Sequence, residues 1–206
     1  MSTLLFLRSA LRNPLRIGAI VPSSQALARA MVDLARIQDG QVVAELGAGT
    51  GAFTQEIVVR HPGSRLIAFE ICPRLGADLA ERFRGVKVVA APVESLPHLA
   101  EGLGLKKIDR IVSGLPWALW PETRQAAVLG ALMPFLTPDA RLVTFHYLHS
   151  RWLGRVVTTR RVLRSRFSRV YHGRPVWRNF PPAYVHVAEG PRPGGGAGDL
   201  AASTPG

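Results

Sequence analysis

Apolar residues in the middle of the chain gather in short runs at 42–46, 66–69, 86–90, 108–112 and 142–145, most of them holding one or two polar residues. Runs of this length, bounded by Gly, Pro or polar residues, predict strands buried on both faces. Helical spacing between them predicts helices, for example over 73–83 and 122–136. Strands alternating with helices predict an α/β fold, a parallel doubly wound sheet with right-handed crossovers. A further helix is expected near 150–163. The segments 167–176 and 183–188 then follow with no helix between them and predict a terminal antiparallel pair, making seven strands in all.

The first forty residues read differently, as two helices. Leu4, Leu7, Leu11 and Leu15 form one stripe at helical spacing, with Arg8, Arg12 and Arg16 running beside it. Pro14 ends or kinks that helix. Pro22-Ser23-Ser24 supplies a turn and a cap for a second helix to about Ile37, closed by Asp39-Gly40. Residues 191–206, built of Pro, Gly, Ala and Ser with few other types, predict a disordered tail. The expected organisation is an amphipathic extension (1–40), one folded domain (41–190) and that tail.

Composition changes this picture in one respect. Hydrophobic residues make up 47% of the 206, enough for a full core, but 26 Lys and Arg against 14 Asp and Glu leave a formal net charge of +12. So basic a chain implies a polyanionic partner, either an anionic membrane surface or nucleic acid. The excess is local: residues 151–180 hold nine arginines and no acid. The lone Cys72 excludes a disulfide framework and a Cys-ligated zinc site, no metal site is expected, and a reducing cytoplasm fits. No run is long and apolar enough to predict a membrane span, and Arg8 interrupts the only stretch resembling a signal core.

The candidate chemistry begins at Glu45-Leu46-Gly47-Ala48-Gly49-Thr50-Gly51, where a strand turns into a helix. Glycines there let backbone approach a ligand closely. Glu70 follows at the end of the next strand, placed to accept both hydroxyls of a ribose at the switch point of the sheet. A pyrophosphate-binding turn has the spacing G-x-G-x-x-G. Here the spacing is E-x-G-x-G-x-G, and a carboxylate at its start repels phosphate but suits a cationic amino-acid group. S-adenosylmethionine, with an ammonium, a sulfonium and no phosphate, is therefore the predicted cofactor. The array resembles class I methyltransferases, whose fold is a Rossmann-like seven-stranded sheet, over roughly residues 40–190. The predicted cofactor-binding set is Glu45, Gly47, Gly49, Thr50, Gly51, Glu70, Ile71, Val93, Glu94 and Ser113. Pro92 stands where many of these enzymes carry an acid for the adenine amine, leaving Glu94 or main-chain groups as substitutes.

The loop Ser113-Gly114-Leu115-Pro116-Trp117 follows the fourth predicted strand. In adenine-N6 methyltransferases, including the rRNA adenine dimethyltransferases, the matching loop carries an Asn or Asp that accepts from the base amine. Gly114 occupies that place, which counts against adenine. The loop instead resembles the soluble bacterial phospholipid N-methyltransferases, as do Asn13-Pro14 with Gly18–Ser24 and Arg178-Asn179-Phe180-Pro181-Pro182-Ala183. That resemblance implies methylation of the amine of phosphatidylethanolamine towards phosphatidylcholine, by an enzyme peripheral at the inner face of the cell membrane. An ammonium must lose its proton before it attacks, and Tyr147, His146 or His149 are candidates to take it, with Ser113 in the loop as a further catalytic candidate. Trp117 and Trp120 offer faces to a methylated cation. Asn179 fixes a turn or lines the pocket, and Arg8, Arg12 and Arg16 meet lipid phosphates. The rival functions are an rRNA or other nucleic-acid adenine methyltransferase and a non-catalytic lipid- or RNA-binding protein of the same fold. No RNA-docking module is recognisable in the sequence.

Overall fold

A computed structural model describes residues 23–150 and 154–192. The predicted first helix with Arg8, Arg12 and Arg16, and the tail beyond 192, lie outside the described residues. The elements are α1 (Gln25–Ala35), β1 (Val42–Leu46), α2 (Ala52–Arg60), β2 (Arg65–Phe69), α3 (Pro73–Arg82), β3 (Lys87–Val89), the short α4 (Leu96–Leu99), β4 (Ile108–Ser113), α5 (Glu122–Leu132), β5 (Leu136–Tyr147), α6 (Gly154–Arg166), β6 (Phe167–His172) and β7 (Ala183–Pro191).

The seven strands form one sheet in the order β3-β2-β1-β4-β5-β7-β6. β1 to β5 are parallel, and β7 inserts antiparallel between β5 and β6. Every side chain of β1 and β4 is buried, as a central parallel strand with both faces covered requires. On one face Val128, Leu129 and Leu132 of α5 and Val162 and Leu163 of α6 complete the core. On the other, Leu27 and Met31 of α1, Phe53 and Ile57 of α2 and Leu79 of α3 do so. Each large apolar side chain so buried contributes about 1.5–3 kcal/mol.

Three expectations are corrected. The second predicted helix is not part of a membrane-facing extension, because α1 packs Leu27, Ala28, Met31, Val32 and Ala35 onto the sheet. Ser24 caps it, its hydroxyl accepting from the Leu27 N–H at 3.2 Å. The expected helix over 122–136 stops at Leu132; a single 3-10 turn leads into β5, which begins six residues before the predicted apolar run. Thr137, Pro138 and Asp139 hid that start, since the strand's first turn of chain is partly exposed and polar. Last, the helix after β5 runs to Arg166, three residues beyond its expected end.

Candidate active site

The strand order reverses between β1 and β4, so the crevice at their carboxyl ends is where such sheets receive ligands. Two connections meet there. The first is the glycine turn from β1 into α2, where Gly47, Gly49 and Gly51 all have positive φ, at 72°, 56° and 85°. A side chain at any of them is strained, and Gly49 has open space where its Cβ would stand. The N–H groups of Gly47 and Ala48 both donate to the Phe69 carbonyl, at 2.8 and 3.1 Å, which docks the turn against the end of β2.

Two carboxylates flank this turn. Glu70 accepts from the Gly49 N–H through Oε2 and from the Cys72 N–H through Oε1, both at 2.8 Å. A carboxylate has about four acceptor positions, so two backbone bonds leave capacity for a ligand. Glu45 is fully buried. Its Oε2 accepts from the Thr54 hydroxyl at 2.7 Å, while its Oε1 has no protein partner. Burial first, with the Glu70 charge adding to it, pushes the Glu45 carboxyl up to about 7. A buried acceptor left open beside bare backbone fits a cationic ligand group and disfavours a phosphate.

The second connection leaves β4. Ser113 Oγ is buried and accepts from Trp117 Nε1 at 2.9 Å, closing the loop on itself. Gln125 Nε2 donates to the carbonyls of Trp117 and Trp120, at 2.9 and 3.1 Å. The Gly114 N–H donates to the Leu46 carbonyl at 2.8 Å, which presses this loop against the glycine turn. A Cβ on Gly114 would stand 2.8 Å from the Gly47 carbonyl oxygen and 3.2 Å from the Phe53 ring. No side chain fits there unless backbone moves, which gives the missing amide a physical reason. Gly114→Ala is therefore expected to cost about 1–3 kcal/mol in thermal or denaturant unfolding, the usual range for overpacking. An unchanged unfolding midpoint would show that the two loops are not in contact.

The remaining predicted residues are dispersed. The Thr50 side chain is exposed, with its carbonyl accepting from Arg82 Nη1 at 3.0 Å. Ile71 is half-buried beside Glu70, and Val93 belongs to the core. Glu94 is held by Arg124 Nε at 3.2 Å, whose guanidinium lies 4.0 Å over the Trp120 ring. Trp117 is buried in the core, so it does not offer a face to substrate as expected; Trp120, half-buried beside it, is the more open ring. Ser113 and His146 share one sheet face, since Ser113 pairs with Thr144 and residues two apart point alike, while Tyr147 faces the other. The three catalytic candidates therefore do not converge. Burial holds His146 neutral, with its pKa lowered to about 4, and raises that of the Tyr147 phenol. Tyr147 is half-buried and stacks on exposed His149, ring centres 5.8 Å apart. Asn179 is buried; its Oδ1 accepts from the Ser24 N–H at 3.0 Å and its Nδ2 donates to the Pro181 carbonyl at 2.7 Å, clamping the approach to β7 onto the start of α1.

Sequence reasoning missed Thr54, Arg124 and Gln125. Thr54 falls in the first turn of α2, directly after the glycines, and helical geometry alone could have placed it under Glu45. Arg124 finds Glu94 across thirty residues, with no local signal.

The chain is 30% identical to the ornithine lipid N-methyltransferase of Singulisphaera acidiphila over 194 residues, 90% of this chain and 95% of that protein. It is 35% identical to the dimethyladenosine transferase of Saccharomyces cerevisiae over 72 residues, 35% of this chain but only 22% of the relative. The crystal structure of human methyltransferase-like protein 13 in complex with SAH superposes with a TM-score of 0.56 at 20% identity, over 82% of this chain and 80% of that one. No protein-family model matches the chain.

Proposed function

The chain belongs to the S-adenosylmethionine-dependent methyltransferases, in the family of the ornithine lipid N-methyltransferase, and from that premise we propose that it methylates the primary amine of a membrane amino-lipid. The observation that carries the reading is the pair Glu45 and Glu70 at a turn that has glycine at 47, 49 and 51. In this proposal Glu70 takes the ribose hydroxyls and Glu45, through its open oxygen, the ammonium of the amino-acid end. Gly47, Gly49, Thr50 and Gly51 let main chain approach, and Ile71, Val93 and Glu94 border the base. The bound cofactor supplies an electrophilic methyl group on a positively charged sulfur.

The residues of this chain then have three tasks: to align the amine, to exclude water and to remove one proton. Alignment of nucleophile and methyl carries much of the acceleration in such a displacement. The loop from Ser113 to Pro116 offers main-chain carbonyls to the amine. Its rigidity comes from the Ser113–Trp117 bond and from Gln125. Tyr147, kept neutral by burial, orients the amine, and exposed His149 stacked on it passes the released proton to water. Buried His146 serves this less well, since the same burial makes it a weak base.

Crowding at Gly114 supports a lipid over an adenine acceptor, because the amide that adenine methylation uses has no room. Phosphatidylethanolamine is the proposed acceptor, with the enzyme peripheral at the cytoplasmic face of the cell membrane. Among the described residues no helix is long and apolar enough to cross a membrane. Incubation of the protein with labelled cofactor and vesicles of phosphatidylethanolamine should give label in the chloroform phase, resolved by mass spectrometry as mono-, di- or trimethylated lipid. Label only with ornithine lipid would move the acceptor within the family. Label only in added RNA would overturn the lipid reading.

A further inference from the structure

Among the described residues five large apolar side chains are exposed: Val59, Leu119, Val157, Trp177 and Phe180. Four of them cluster in the topology. Leu119 follows β4, Val157 lies in the first turn of α6 after β5, and Trp177 and Phe180 lie in the connection from β6 into β7. Ala183, the first residue of β7, pairs with Tyr147 at the end of β5. All four therefore come from connections at the carboxyl edge of the parallel strands, where the candidate site opens. Val59, near the far end of α2, lies towards the opposite edge.

The two aromatic rings are the extreme case, Trp177 at 68% and Phe180 at 83% of full exposure. Their exposure is held by structure. Asn179, between them, is buried and bonded to Ser24 and Pro181, and Val176 and Ala183 bridge across the base of the connection. Arg174 and Arg178, both exposed, interleave with the rings, and residues 151–180 contain no acid. Aromatic rings beside arginines suit one environment particularly well: rings at the level of lipid head groups, guanidinium groups on their phosphates. Ser23 and Ser24, where the described chain begins, lie at this same edge, tied to it by the Ser24–Asn179 bond.

We propose that the connection 173–182 is a membrane-inserting loop that seats the carboxyl edge of the sheet, and with it the methyl-transfer crevice, on an anionic bilayer. This rests on the lipid-substrate reading and adds to it the surface by which the enzyme reaches its substrate. The test uses the full chain with vesicles of phosphatidylcholine doped with phosphatidylglycerol. The double variant Trp177→Ser/Phe180→Ser should lose about tenfold or more in vesicle partitioning, as removal of two buried rings from an interface predicts. Arg174→Glu/Arg178→Glu should weaken binding most at low salt. Cofactor affinity, and turnover of a short-chain amino-lipid below its aggregation threshold, should stay within twofold of wild type. Brominated lipid should quench wild-type tryptophan emission, and much of that quenching should vanish in Trp177→Phe.

Sedimentation of the double variant equal to wild type would overturn the proposal. So would wild-type emission that brominated lipid leaves untouched, the result expected if residues 1–22 or a second copy of the chain covers the rings. Retention on RNA rather than on vesicles would overturn it in favour of a nucleic-acid partner. Failure of the lipid-substrate reading looks different: vesicle binding falls in the variants as stated, yet no amino-lipid, short-chain or vesicle-borne, is methylated.

Discussion

Glu70→Ala should reduce affinity for S-adenosylmethionine about 100-fold, measured by titration calorimetry on the purified protein. The magnitude follows from the loss of two charge-assisted hydrogen bonds to a ribose, each worth about 1.5 kcal/mol or more. The same substitution removes the acceptor of the Gly49 and Cys72 N–H groups, so some loss of stability accompanies it. A purely bracing role for Glu70 is separable. Glu70→Gln keeps one carbonyl acceptor for a backbone N–H and loses the charge. It should recover most of the unfolding midpoint while leaving ligand affinity at least tenfold weak. If Glu70→Ala binds the cofactor as wild type does, the ribose assignment is wrong.

The fold was legible because the chemistry that fixes it is local and periodic. Five apolar runs of strand length, each followed by a helix or a breaker, allow few arrangements. The glycine turn and Glu70 then point to the carboxyl end of the sheet, where such folds receive ligands. Misreadings arose where context outweighed pattern. The polar start of β5 carries no apolar run, yet Leu136 pairs with Ile108 and extends the strand. The second predicted helix, to about Ile37, shares an amphipathic pattern with the leucine stripe before it, which is why 1–40 reads as one extension. Yet α1 buries its apolar face on β4, β5 and β7, a partner that no sequence window displays.

The site was legible in part for the same reason. Glu45, the glycines and Glu70 lie on elements whose ends the pattern located, and they meet. Ser113, His146 and Tyr147 were grouped by nearness to strand ends, but strand parity sends Tyr147 to the opposite face. The sequence offers Trp117 as a face for a methylated cation, but the Ser113 hydroxyl and Gln125 draw it inward. Trp177 and Phe180 owe their exposure to Asn179, whose partner Ser24 lies 155 residues away, beyond the reach of any local pattern.

The stability of the ligand-free protein should peak near pH 6.5, and the cofactor should erase one side of that peak. Glu45 keeps its proton to about 7 when folded and releases it near 4.5 when unfolded. Its contribution is therefore complete below 4.5 and is lost as pH rises to 7, by about 3 kcal/mol. The buried pair His146 and His186 acts oppositely. Burial keeps both neutral when folded, with pKa values of about 4 and about 3, while their unfolded value is 6.5. Their contribution is complete above 6.5 and is lost as pH falls towards those values. Two histidines outweigh one carboxyl between 4.5 and 6.5, and Glu45 alone governs from 6.5 to 7. A cation placed against Glu45 ionises it, so saturating S-adenosylmethionine should stabilise the protein more at pH 8 than at pH 5. Near pH 6, binding should release up to about one proton, read as a dependence of calorimetric heat on buffer ionisation enthalpy. Glu45→Gln keeps an acceptor for Thr54, abolishes the proton release and flattens the alkaline side of the stability curve. Proton release that is absent in wild type, or equal in the variant, would remove Glu45 from contact with the ligand's charge and leave the buried carboxyl as a structural feature alone.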